Sequence, residues 1–324
     1  MEKRKVPLTC VRRKTEVLVL NKKKKIKLRT VLPVYLMMLP GAVYLLFNNY
    51  IPMAGIVIAF KKIDWSKGIL SSEWSGFDNF VYLFKTKDAF IMTRNTVLYN
   101  ALFIVLGIVC SVTAAILLNE ISSKMKKMYQ SLILLPYLMS MVIVSYLVYA
   151  LLSNETGFVN NTILKAMDLD PVNWYQEKKY WPFILTIVNI WKSVGFSSIL
   201  YLATIVGISP EYYEAARLDG AGKWQQIKGI TLPLLKPTII TLFILSVGGI
   251  FRSDFGLFYQ IPRNSGILYS VTQTIDTYVY RGLMQQGNIS MSSAAGVYQS
   301  VVGFILILAA NWIVKKVDRE SSLF

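Results

Sequence analysis

Few side chains in this sequence can make or break a covalent bond. There is no histidine among the 324 residues, and the two cysteines, Cys10 and Cys110, lie far apart in unlike surroundings. Zinc sites, histidine-based acid–base catalysis and a structural disulfide are effectively excluded. No G-x-x-x-x-G-K-S/T run occurs; the nearest segment, Gly220-Ala221-Gly222-Lys223-Trp224, lacks the upstream spacing and the hydroxyl that would hold magnesium. If ATP powers this protein, another polypeptide hydrolyses it. What remains is recognition chemistry. Glu214, Ala215 and Ala216, then Gly220, then Ile230, Leu232 and Pro233 fall in the register E-A-A-x3-G-x9-I-x-L-P. Tyr212 to Asp219 holds no helix breaker, and Gly220 supplies the left-handed conformation that commonly ends a helix. The paired alanines give a small face that a second protein's backbone can approach closely. Pro233 sits early in the next hydrophobic segment, where a missing N–H costs least.

A second kind of chemistry belongs to polar groups inside apolar runs, which are costly unless they face a bundle interior or a wet cavity. Lys192 lies about eleven residues into such a run, near mid-membrane by rise per residue, where an ammonium costs about 2.5–3.5 kcal/mol on insertion scales. It needs either a passing hydroxyl or carboxylate, or a fixed partner such as an acidic residue or carbonyl of another span. Asn189, three positions earlier, faces a similar direction; an interhelical hydrogen bond is its structural alternative. At the end of the fifth apolar run, Arg252 and Asp254 stand among Phe251 and Phe255, and Tyr259 and Gln260 follow. Aromatic faces beside planar hydrogen-bonding groups suit a sugar, although a headgroup-level belt would use the same residues. Gln273, Asp276, Tyr278 and Arg281 come next in the chain.

The elements that must position these groups are membrane spans. Hydrophobic residues make up 54% of the chain, outside the profile of an ordinary soluble domain. About 20 apolar residues cross a hydrocarbon core, and the pattern predicts six spans, at 31–60, 96–118, 129–152, 181–207, 230–251 and 294–314. The first, interrupted by Pro40, Gly41 and Pro52, is expected to be kinked or to carry an interfacial extension, and to be uncleaved. Alternate loops carry 22 lysines and arginines against 8 acidic residues on one side, and 13 against 10 on the other, net +14 and +3 of the total +17. The basic side belongs in the cytoplasm. Both termini and the Glu214 loop are therefore expected on the cytoplasmic side of the membrane. The organisation is a basic tail (1–30), a six-span domain (31–314) with a loop at 209–229, and a short tail (315–324). The run Lys22–Lys25 abuts a span without interleaved aromatics, which fits anionic lipid headgroups rather than nucleic acid.

The Glu214–Pro233 pattern resembles the signature of permease subunits of bacterial ABC importers. Two further stretches extend the likeness to carbohydrate permeases of the maltose-transporter type: Ile190-Trp191-Lys192-Ser193-Val194-Gly195-Phe196, and Tyr201-Leu202-Ala203 with Ile208-Ser209-Pro210-Glu211. Ile51-Pro52-Met53-Ala54-Gly55, Ala59-Phe60-Lys61, Asp276 to Arg281 and Ser293 to Gly303 resemble the subgroup importing polysaccharide-derived oligosaccharides, uronate-rich ones included. The likeness covers about 290 residues. It implies an all-α integral membrane protein, six transmembrane helices of the ABC importer type I permease fold with a cytoplasmic coupling helix. It implies a heterodimer with a second homologous permease, two ATPase subunits that hold ATP and magnesium, and an extracytoplasmic solute-binding protein. No cofactor is expected on this chain. Tyr213, Glu214, Ala215, Ala216, Asp219 and Gly220 would contact the ATPase. Asn189, Lys192, Arg252, Asp254, Tyr259, Gln260 and Tyr278 would line the substrate route, and the segment 273–281 would alternatively dock the binding protein. The large maltose-type subunit has extra N-terminal spans and a long insertion that this chain lacks, so its sugar site does not carry over residue by residue. A non-sugar solute such as a polyamine or phosphonate, or a pore or scaffold with a borrowed loop, are the alternatives.

Overall fold

The computed structural model describes residues 28–317; the basic tail through Lys27 and the last residues, Arg319 and Ser321 among them, lie outside the described part. The chain divides into two compact units, one ending at Ala54 and one beginning at Gly55.

The first unit is helical from α1 (Leu28–Leu45) through a π turn at Leu46–Tyr50 and a short helix at Ile51–Met53. The change of hydrogen-bond register falls just ahead of Pro52, which has no N–H to return to the turn before it. Helix continues as a 3-10 stretch over Ala54–Phe60, so the first expected span is helical throughout.

The second unit opens with a two-stranded hairpin, β1 (Lys61–Lys62) antiparallel to β2 (Glu73–Trp74). Lys61 is buried beneath it, donating to the carbonyls of Ile69 and Leu70 at 3.3 and 2.6 Å. There follow α2 (Asp78–Lys85), α3 (Lys87–Glu120), α4 (Ser123–Leu138), α5 (Met141–Leu152), α6 (Trp181–Val206) and α7 (Pro210–Leu218). The chain closes with α8 (Leu232–Gly248), α9 (Phe255–Gln260), α10 (Ile275–Met284) and α11 (Ile289–Val317). Among the described residues, five helical stretches are long and apolar enough to cross a membrane, or six if α4 and α5 count as one.

That last pair departs from the expectation of an unbroken span at 129–152. α4 and α5 meet at an angle of 95°, with Met139 and Ser140 extended between them. Pro136 removes one N–H from the last turn of α4, and Ser140 restarts the helix by accepting the Ile143 N–H at 3.3 Å. α3 is longer than its expected span, beginning nine residues earlier; at 1.5 Å per residue its 34 residues reach about 51 Å, well past a core of about 30 Å.

α3 and α6 pack around two apolar cores, and α8 joins the first of them. Near the α7 end, Val112, Ala115 and Leu118 of α3 meet Tyr201, Leu202 and Ile205 of α6 and Leu235 of α8. Towards the other end, Tyr99, Trp181, Leu185 and Val188 meet Val144 and Val148 of α5 and Leu257 and Phe258 of α9. A third cluster joins Leu83 of α2 to Ala89, Met92, Phe251, Ile275 and Ala295.

Candidate functional site

The Glu214 pattern folds as a short, well-capped helix. Ser209 accepts the Glu211 N–H at the N-terminus of α7. At the other end Gly220 has φ +80°, its N–H donates to Arg217 O at 3.0 Å, and the Ala221 N–H donates to Ala216 O at 2.8 Å. That is a Schellman closure, which requires the left-handed residue glycine tolerates best. The loop is tied down behind the helix: Tyr213 Oη meets Thr231 Oγ1 at 2.9 Å, Gln226 donates to Ala221 O, and Lys223 pairs with Glu120 at the end of α3. Glu214 lines a cavity of about 390 Å³ with Glu120, Lys126, Arg217 and Lys223. Among the described residues the outward face has no partner. Tyr212, Ala215 and Leu218 recur at a spacing of three, all exposed, with Leu218 at 90%. Asp219 is the C-cap.

Lys192 reaches the break between α4 and α5. Its ammonium donates to the carbonyls of Pro136 at 3.3 Å, Tyr137 at 2.9 Å and Met139 at 2.6 Å. These are the orphan acceptors of a helix C-terminus, where a cation is favoured by both hydrogen bonding and the helix dipole. Of the partners the sequence left open, the structure supplies carbonyls. α6 comes this close to α4 because of Gly195, one turn further on: a Cβ there would overlap the Ile133 carbonyl. Tyr137 and Phe196 stack across the same contact at 4.7 Å.

Between the two apolar cores, at mid-span, α3, α6 and α8 line a half-open cavity of about 410 Å³. Asn100, Ser193, Ser197, Tyr201 and Ser246 line it beside Phe103 and Leu242. Asn100 donates to Ile250 O and Arg252 O at 2.9 and 3.0 Å. These residues do not stand out in the sequence because single serines in an apolar helix usually bond their own backbone; the signal is Ser193 and Ser197 at i, i+4, one face of α6.

The segment after α8 is irregular, and a polar stripe on α3 holds it. Asn95 donates to Gln273 O at 2.9 Å, Tyr99 to Val271 O at 2.9 Å, and Thr96 accepts the Ile275 N–H at 3.1 Å. Asp276 Oδ2 accepts from Ser253 and from Gln299. The residues expected along a substrate route therefore fall into separate places. Arg252 is exposed in the linker after α8. Asp254 is the N-cap of α9, accepting the Leu257 N–H at 3.1 Å. Tyr278 packs onto the third core cluster, and burial pushes its phenol up to about 12, so it stays a neutral donor. Tyr259 and Gln260 line a smaller cavity of about 260 Å³ with Tyr146 of α5, Arg263 and Asn264. Asn189 lies half-buried on α6.

Residues 90–319 match the family described as "Binding-protein-dependent transport system inner membrane component". The chain is 38% identical over 287 residues to the polygalacturonan/rhamnogalacturonan transport system permease protein YteP of Bacillus subtilis (strain 168), covering 88% of each chain. It superposes with a TM-score of 0.82 on a chain of a bacterial ABC transporter involved in the import of the acidic polysaccharide alginate, at 34% identity, covering 90% of this chain and 98% of that one. A second structure, the bacterial alginate transporter in complex with an alginate pentasaccharide-bound periplasmic protein, matches with a TM-score of 0.81 at 34% identity, covering 90% and 96%. An exposed capped helix, a mid-span cavity carrying serine and asparagine side chains on an otherwise apolar wall, and these likenesses agree: the chain is a multi-pass membrane protein and belongs to the binding-protein-dependent transport system inner membrane component family, the permease subunits of ABC importers.

Proposed function

We propose that this permease forms the membrane path of an importer for oligosaccharides that carry uronate groups. In this reading α7 is the coupling helix, and Tyr213, Glu214, Ala215, Ala216, Asp219 and Gly220 transmit ATP-driven movement from an ATPase that binds ATP and magnesium. Both termini and α7 face the cytoplasm of a bacterial cell, as the +14 against +3 division of charge from the sequence favours. A second permease, two ATPase subunits and an extracytoplasmic binding protein complete the assembly. The sugar enters at the α9 end and passes the mid-span cavity.

The observation that carries this reading is the exposed Tyr212, Ala215 and Leu218 face on a helix locked at both ends, at the opposite end of α8 from the aromatic cluster around Tyr259. A rigid apolar knob suits a partner's cleft, because little ordering entropy is lost on docking. The uronate preference is supported by the polygalacturonan/rhamnogalacturonan relative and the alginate structures. Ser193, Ser197 and Asn100 supply hydroxyl and amide groups suited to sugar hydroxyls, beside the aromatic Phe103. The test is uptake into cells carrying the complete transport system, with oligogalacturonate and a neutral oligosaccharide of equal length as competing substrates. Saturable uptake of the acidic chain is expected, abolished when the ATPase is inactivated. Uptake of neither sugar would overturn the reading.

A further inference from the structure

We infer that Arg263, held against two tyrosines of α5, forms an entry subsite for a sugar carboxylate; this deepens the reading of the chain as an oligosaccharide permease and rests on it. The guanidinium carbon lies 4.2 Å from the Tyr149 ring centroid and 5.7 Å from that of Tyr146. Stacking on aromatic faces leaves the edge of the planar fork, with its five N–H donors, open. Among the described residues the Arg263 side chain has neither a hydrogen-bond acceptor nor a carboxylate partner; the only ion pairs are Lys67–Glu73 and Lys223–Glu120. An exposed arginine so placed is prepared for a bidentate acid and has none of its own.

The backbone holds it there at a cost. Arg263 and Asn264 are consecutive left-handed residues, φ 53° and 50°, two of the three non-glycine residues with positive φ in the described part. Such conformations persist only where the surroundings over-determine them. Asn264 is fixed by Arg281, whose Nη1 donates to its Oδ1 at 3.2 Å, and by Tyr269, whose hydroxyl donates to the same oxygen at 3.0 Å. Arg281 is itself buried, with its guanidinium 3.9 Å from the Tyr269 ring centroid. One buried cation thus positions the turn that presents an exposed one.

The cavity beside Arg263 is about 260 Å³, just below the range of about 300–1,000 Å³ that takes drug-sized ligands, which suits a single sugar ring. Ser145 and Gln260 line it; the Ser145 oxygen can accept from a ring hydroxyl, its own proton going to Val142 O, and Tyr146 and Tyr259 add aromatic wall, Tyr259 with one face stacked on Phe255. A flat contact with another protein would need none of this concavity. The subsite therefore takes a pyranose ring bearing a carboxylate, the guanidinium pairing with the acid and the tyrosines covering the ring.

Saturation-transfer NMR on the complete purified complex, without the binding protein, tests this directly with tri-galacturonate and its methyl ester as probes. The wild type should transfer saturation to the acid more strongly than to the ester. Arg263→Gln should weaken binding of the acid about tenfold and leave the ester unchanged, with Arg263→Lys intermediate because a point charge replaces a fork. Co-purification with the partner subunits serves as the check on folding, and Tyr149→Leu, which removes the stacking face but not the charge, should also weaken the acid. Equal loss for acid and ester, or no loss for either, would overturn the subsite. Transfer to neither probe in the wild type would instead overturn the oligosaccharide reading on which it rests.

Discussion

Replacing Lys192 by methionine separates two uses of a mid-membrane ammonium. Methionine keeps most of the apolar stem, so the packing change is small. Three carbonyls lose their donor. Hydrogen bonds to a charged group are worth about 1.5–3 kcal/mol each. The Met139 contact, at 2.6 Å, should count fully; the Tyr137 contact, at 2.9 Å, lies at the surface of the chain and counts in part; the Pro136 contact, at 3.3 Å, adds little. The folded permease should therefore lose about 2–4 kcal/mol. Insertion moves the other way, because removing a charge from a span saves about 2.5–3.5 kcal/mol. Expression level is thus a poor readout, and stability of the folded complex is the right one. The thermal midpoint of the purified complex should fall by about 5 °C or more, while Lys192→Arg, which keeps a cation at the break, should recover part of it. Uptake of acidic and neutral substrates should fall together, because the bend between α4 and α5 relaxes. An unchanged midpoint, with uptake lost for acidic sugars alone, would refute the reasoning and put the ammonium in contact with substrate.

Gly220→Val should insert and assemble but lose sugar-stimulated ATP hydrolysis, because a β-branched residue is strongly disfavoured at φ +80°; the space around it is open, so the effect is backbone strain alone. Normal stimulated ATPase would remove α7 from the coupling role. Gly195→Ala should cost at least about 2 kcal/mol in unfolding measurements, since backbone rather than a mobile side chain blocks the new methyl; Gly296→Ala, with open space around it, should cost nothing, and equal stability of the two variants would contradict the close helix approach. A cysteine introduced at Ser321, in a background lacking Cys10 and Cys110, should resist a membrane-impermeant thiol reagent in intact cells and react after permeabilisation; labelling in intact cells would reverse the orientation.

Most of the span architecture was legible because apolar length is a strong signal. The Gly220 turn was legible too, since its residue type carries its conformation. The break at Ser140 was hidden: Pro136 marks a weakened turn, but the bend depends on Lys192 arriving from 56 residues away to satisfy the freed carbonyls. Lys192 itself was visible as an anomaly, while the choice between substrate and carbonyl needed the third dimension. The mid-span cavity is not legible in the sequence because Ser193 and Ser197 are small and ordinary in an apolar helix. Asn95 is hidden because α3 begins earlier than its apolar run, and Asn100 because the carbonyls it answers, those of Ile250 and Arg252, lie beyond α8. Nothing in the local sequence around Arg263 announces a left-handed arginine or the tyrosines of α5 that receive it.

The central claim is that this permease carries acidic oligosaccharides at the expense of ATP bound elsewhere. Reconstituting it with its second permease, ATPases and binding protein in proteoliposomes, and following labelled oligogalacturonate with ATP on the α7 side, tests it most directly. Accumulation against a gradient, dependent on ATP and abolished by Gly220→Val, is the predicted result; ATP-independent equilibration of the sugar, or accumulation unaffected by that substitution, would contradict it.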